Sequence, residues 1–81
     1  MIAVQRKLNR IKQKTTLTTR EVEILHMIAY ELSSKQISTQ IGISTETVKS
    51  HRKNIMTKLN VKNTAGMVRV AFEQGIIQLE K

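Results

Sequence analysis

Residues 43–60, ISTETVKSHRKNIMTKLN, mix positive charge with short hydrogen-bonding groups at helical spacing. Wound at about 100° per residue, the segment puts Val48, Ile55 and Leu59 on one line with Met56 beside them, the pattern of a buried stripe. The opposite side carries Glu46, Lys49, Ser50, Lys53, Asn54, Thr57 and Asn60. Lys49 and Lys53 stand one turn apart, so both can reach a phosphate or the O6/N7 edge of guanine. Ser50 and Asn54 form a second such pair, short enough to meet base edges without holding the helix away. Thr45 and Thr47 lie at the positive helix start, where hydroxyls and free amides bind phosphate. Arg52 lies beside the apolar stripe, so its stem packs and its head snorkels toward a phosphate or a Glu.

Each residue also has a plainer role. Exposed lysines are commonly just solvated, Ser44 and Thr47 can act only as caps, and Glu46 can serve the helix dipole rather than accept from cytosine N4. His26 and His51 have no His or Cys at metal-ligand spacing. No Ser/His/Asp arrangement and no Gly-rich phosphate loop is present, so catalysis has no candidate residues and no cofactor or small-molecule ligand is expected.

Several short helices must hold this face. The chain has no proline, three glycines and little β-branched alternation, which points to an all-α fold. Thr18 with Glu21 three residues later reads as a capping box, and Leu17 can staple onto Val22. The helix so started is expected over 19–32, with Val22, Leu25, Ala29 and Leu32 as its stripe, widened by Ile24 and Ile28. Ser33 with Gln36 opens a second helix, which faces Ile37 and Ile41 inward and stops at Gly42. Ser44 restarts the chain at once, and the third helix runs to about residue 59. Helix, Gly-Ile-Ser turn, helix is the signature of a helix-turn-helix, whose second helix enters the major groove of DNA. A fourth helix opens at Asn63 or Thr64 and ends at Gly75. Its Met67, Val68, Val70, Ala71 and Phe72 cover an arc of roughly 200°, wider than one packing surface needs. Either the helix is central in the bundle or a second copy covers the excess.

Eighty-one residues make one small domain with a thin core, and no run approaches the about 20 apolar residues of a membrane span. The absence of cysteine excludes disulfides and thiolate metal sites and fits a cytoplasmic setting. Fourteen bases against six acids give a net charge of +8, and the isoelectric point near 10.3 suits a phosphate-rich partner. Five of the bases (Arg6, Lys7, Arg10, Lys12, Lys14) fall in residues 1–14, which contain no acid. Residues 1–16 therefore read as a basic arm or linker ahead of a domain over 17–81. Val4, Leu8 and Ile11 would also align on an added amphipathic N-terminal helix, a weak membrane anchor at best without Trp or Phe.

From LTTREVEIL, through SSKQISTQIGISTETVKSHRKNI, to KLNVKNTAGMV, the chain resembles the LuxR-type (GerE-like) DNA-binding domain of bacterial response regulators and quorum-sensing regulators. The match covers about 17–77, and the three blocks follow one another at the family's spacing. The resemblance implies a compact four-helix bundle with the third helix in the major groove and the fourth at a dimer contact. It implies that Lys49, Ser50 and Lys53 reach bases or nearby phosphates, and that Ser33, Ser34, Lys35, Thr45, Thr47, Lys62 and Asn63 hold the DNA backbone. Met67, Val70, Ala71 and Gln74 would then lie near the two-fold axis of a homodimer. Three residues depart from the family pattern: Glu31 for a glycine ending the first helix, Ser38 for an alanine, and Thr64 where arginine is frequent. The family usually carries a receiver or ligand-binding domain ahead of this module. Residues 1–16 are accordingly expected to be the end of a linker, the alternative being a stand-alone regulator.

The expected function is sequence-specific binding of double-stranded DNA by a bacterial transcriptional regulator. A rival reading is a sigma-factor-like interaction module that contacts RNA polymerase or a partner regulator through the same helices.

Overall fold

The computed structural model describes residues 17–78; the expectations about residues 1–16 lie outside them. Four helices follow one another: α1 (Thr19–Ala29), α2 (Ser34–Ile41), α3 (Thr45–Leu59) and α4 (Thr64–Glu73). No strand occurs among the described residues, so the all-α expectation holds.

Each helix starts on a side-chain oxygen. Thr18 Oγ1 accepts from the Glu21 amide at 3.0 Å while Glu21 Oε1 accepts from the Thr18 amide at 2.9 Å. Ser33 and Gln36 repeat that reciprocal pattern at 3.1 and 2.8 Å. Ser44 Oγ accepts from the Thr47 amide at 3.0 Å, and Asn63 Oδ1 from the Gly66 amide at 2.8 Å. These bonds satisfy amides that the first helical turn leaves without partners.

Each helix also ends the same way. Glu31, Gly42, Asn60 and Gly75 take left-handed φ values of 66°, 69°, 58° and 71°. The next amide then reaches back five residues: Leu32 to Met27 O, Ile43 to Ser38 O, Val61 to Met56 O and Ile76 to Ala71 O. Gly42 needs its freedom for φ alone, since an added Cβ would meet nothing within 4 Å.

Glu31 explains a correction to the sequence reading. The apolar pattern suggests a first helix reaching Leu32, but α1 stops at Ala29 because the backbone reverses at Glu31. A residue with a Cβ in this conformation carries a cost that glycine avoids. Glu31→Gly is expected to raise stability by about 0.5–1 kcal/mol, seen as a thermal midpoint about 2–8 °C higher. An unchanged or lower midpoint would show that the Glu31 side chain compensates for its backbone.

The core is made of Ile24, Leu25 and Ile28 from α1, Ile37 from α2, Val48, Ile55 and Leu59 from α3, Met67 and Ala71 from α4, and Ile77 beyond it. Val22, Ala29 and Leu32, placed in the first helix's stripe by sequence, are only half-buried; the inward line is Ile24, Leu25 and Ile28. α3 is the central element and packs against all three others. Glu21, buried among these apolar groups, joins α1 to α3 through Lys58, with Nζ to Oε1 at 2.8 Å.

Candidate nucleic-acid interface

α3 presents the two faces its periodicity predicts. Val48 and Ile55 are fully buried and Leu59 nearly so, while Glu46, Thr47, Lys49, Ser50, Lys53, Asn54 and Thr57 are exposed. The four candidate groove residues, Lys49, Ser50, Lys53 and Asn54, thus share the outward side of one rigid helix. Lys49, Arg52, Lys53 and Lys58 outnumber the single acid of α3, Glu46. Glu46 Oε2 lies 4.0 Å from Lys49 Nζ, but both side chains are well exposed, so water screens the pair and the lysine stays available.

The candidate phosphate ligands occupy helix starts and one loop. Ser33, exposed, and Ser34, half-buried, stand with exposed Lys35 at the start of α2. The Ser33 hydroxyl oxygen accepts the cap bond, which leaves its proton to donate. At the start of α3, the Thr47 and Ser44 hydroxyls are hydrogen-bonded at 2.9 Å, and Thr47 is exposed. Thr45 is half-buried, its Oγ1 3.3 Å from Ser38 Oγ. Exposed Lys62 and Asn63 form the loop before α4, with the Asn63 side-chain oxygen Oδ1 engaged as a cap.

Arg52 contacts one of the residues that depart from the family pattern. Its Nη2 donates to Thr64 Oγ1 at 3.0 Å, so its head meets a hydroxyl of α4 rather than a carboxylate. Thr64, the first residue of α4 and the position where the family frequently has arginine, thereby holds a guanidinium of α3.

The α4 residues divide. Met67 and Ala71, placed near a two-fold axis by the resemblance, are fully buried in the core of a single chain and offer no surface to a partner. Their methyl and thioether groups complete the packing of α4 on α1 and α3. Val70 and Gln74 are half-buried on one flank of the helix, and the buried Gln74 Oε1 has no donor among the described residues. Phe72 is exposed, held apart from the core on the other flank.

Two contributors escaped the sequence reading. Glu21 was legible as a cap but not as a buried ion-pair partner, because Lys58 is 37 positions away. Burial by itself would raise the Glu21 carboxyl. The Lys58 hydrogen bond, the Thr18 amide and the Lys58 charge, with a smaller effect of His51, hold it below its ordinary value near 4.5. Ser38 was noted only as a departure from alanine; it is buried against the turn. A groove lined by α1, α2 and the stretch after α4, including Val22, His26, Met27, Ile41, Ile76 and Ile77, contains none of the predicted site residues.

A helix-turn-helix with a basic, hydrogen-bonding face on its second helix defines the class of DNA-binding domains. Residues 15–71 match the model of the bacterial regulatory proteins of the luxR family, and the chain belongs to that family. The family is one of DNA-binding transcription regulators, not enzymes. The chain is 43% identical over 61 residues to the transcriptional regulatory protein MctR of Rhizobium johnstonii, covering 75% of this chain and 28% of MctR. It is 48% identical over 59 residues to a nitrate/nitrite response regulator homolog of Haemophilus influenzae, covering 73% of this chain and 28% of that protein. The chain therefore spans less than a third of these curated relatives. Among solved structures, the transcription factor GerE superposes with a TM-score of 0.77 at 33% identity, over 83% of this chain and 100% of GerE. The response regulator ChrA of a heme-sensing two-component system gives 0.75 at 32% identity, over 91% of this chain and 37% of ChrA.

Proposed function

We propose that this domain binds duplex DNA sequence-specifically, as the output part of a bacterial transcription regulator acting in the cytoplasm. α3 lies in the major groove with Lys49, Ser50, Lys53 and Asn54 toward base edges. Ser33, Ser34, Lys35, Thr45, Thr47, Arg52, Lys62 and Asn63 hold phosphates on either side. Two copies occupy two half-sites, meeting through the Val70 and Gln74 flank of α4. The observation that carries this reading is the outward face of α3, where lysines alternate with short polar groups on a helix whose other side is fully buried.

Selection of genome fragments with the purified protein tests it, followed by titration of the best fragment and a scrambled control at 50 and 200 mM salt. The expected result is an enriched inverted repeat, with affinity falling about 10³-fold between the two salts if about six phosphates are neutralised. Equal weak binding to both fragments would remove the specificity, and a single half-site would remove the dimer. A shallow salt dependence together with firm binding to RNA polymerase would favour a protein-contacting module instead.

A further inference from the structure

Ser38 sits in the last turns of α2, directly against the start of α3, and is buried where most polar residues of α2 are exposed. Its Oγ donates to Lys35 O at 2.8 Å and lies 3.3 Å from Thr45 Oγ1. A serine hydroxyl has one proton, and the Lys35 carbonyl can only accept. With that proton on Lys35 O, the bond between the two hydroxyls has one polarity left: Thr45 donates and Ser38 accepts. The proton of Thr45 then points inward, toward α2.

A threonine at the first turn of α3 is placed to donate to a DNA phosphate, but the same proton cannot serve both acceptors. We infer that Ser38 competes with the DNA backbone for the hydroxyl proton of Thr45, so that it lowers phosphate affinity while it ties the two helices of the helix-turn-helix together. The inference rests on the DNA-binding reading above and concerns a positioning residue, since Ser38 itself is shielded from DNA. It also predicts that Thr45 and Ser38 act as one unit, whereas Thr47, paired with exposed Ser44, is independent of both.

The test compares wild type, Ser38→Ala, Thr45→Val and the double variant by titration against the selected operator and a scrambled duplex. Helical content and thermal midpoint are recorded for each. Alanine is a strong helix former and fits the space of serine, so Ser38→Ala is expected to fold. It is expected to bind both duplexes about two- to tenfold more tightly, the range of one ordinary hydrogen bond. The gain should disappear in the double variant. Unchanged or weaker binding by folded Ser38→Ala would overturn the competition, and so would a gain that survives Thr45→Val. Failure of wild type to bind either duplex would instead overturn the DNA-binding reading, which separates the two failures.

Discussion

Replacing Glu21 with alanine is expected to destabilise the domain by about 2–3 kcal/mol, measured by urea unfolding at neutral pH. One carboxylate oxygen accepts from both the Thr18 amide and the Lys58 ammonium, at 2.9 and 2.8 Å, so a single truncation removes the reciprocal half of the α1 capping box and the α1–α3 tie, while the Thr18 hydroxyl keeps its bond to the residue 21 amide. The lost half of the capping box contributes about 0.5–1 kcal/mol, the range of one ordinary hydrogen bond. Breaking a fully buried pair would cost about 3–5 kcal/mol, but the Lys58 side chain is 35% exposed and can recover water, which lowers that figure. Against the about 5 kcal/mol of a small domain, the loss is severe.

Glu21→Gln separates the two contributions. A glutamine at this position keeps the cap, as Gln36 does for Ser33 in the same chain, and removes only the charge. The carboxyl is held below its ordinary value near 4.5 in the folded state, so folding favours the ionised form. The stabilisation is therefore present above the unfolded value and is lost as pH falls through the lowered folded value. The stability gap between wild type and Glu21→Gln is expected to close as pH drops below about 4. A gap that stays constant down to pH 2 would mean that the ion pair contributes nothing.

Lys49→Ala is expected to reduce affinity for the selected operator by about 10- to 100-fold, equivalent to about 1–3 kcal/mol, with a much smaller effect on scrambled DNA. Lys49 is exposed on α3 beside Val48, which anchors the helix in the core, so truncation should leave the fold and its thermal midpoint unchanged. Its Glu46 neighbour at 4.0 Å is too exposed to immobilise it. Lys62→Ala is the contrast: a loop lysine on the phosphate should weaken both duplexes alike and reduce the salt slope by about one unit. Equal losses from Lys49→Ala on operator and scrambled DNA would move Lys49 from base reading to the phosphates.

The helix starts, the ends of α2, α3 and α4, and the division of α3 into two faces were determined by sequence alone. Thr18, Ser33, Ser44 and Asn63 cap through bonds that span three residues, and Gly42 reverses the chain by its own φ. Such interactions are local, so residue type and spacing suffice to predict them. The inward line of α3 follows similarly, because Val48, Ile55 and Leu59 are its apolar line and nothing else could fill the centre.

What lay beyond the sequence depended on which neighbour each flank meets. Glu21 is a cap in any isolated helix; only the arrival of α3 buries it and supplies Lys58. Met67, Val68, Val70, Ala71 and Phe72 belong to one continuous apolar arc, and the crossing of α4 over α1 and α3 alone decides that Met67 and Ala71 turn inward. Glu31 carries no glycine-like signal in its side chain; only its place at the family's helix-ending glycine hinted at the early end of α1, which the left-handed backbone makes explicit. Ser38 and Thr45 are seven positions apart on different helices, and the turn between them brings their hydroxyls within 3.3 Å. Local chemistry thus sets the elements, while long-range packing selects which of their polar groups remain available to DNA.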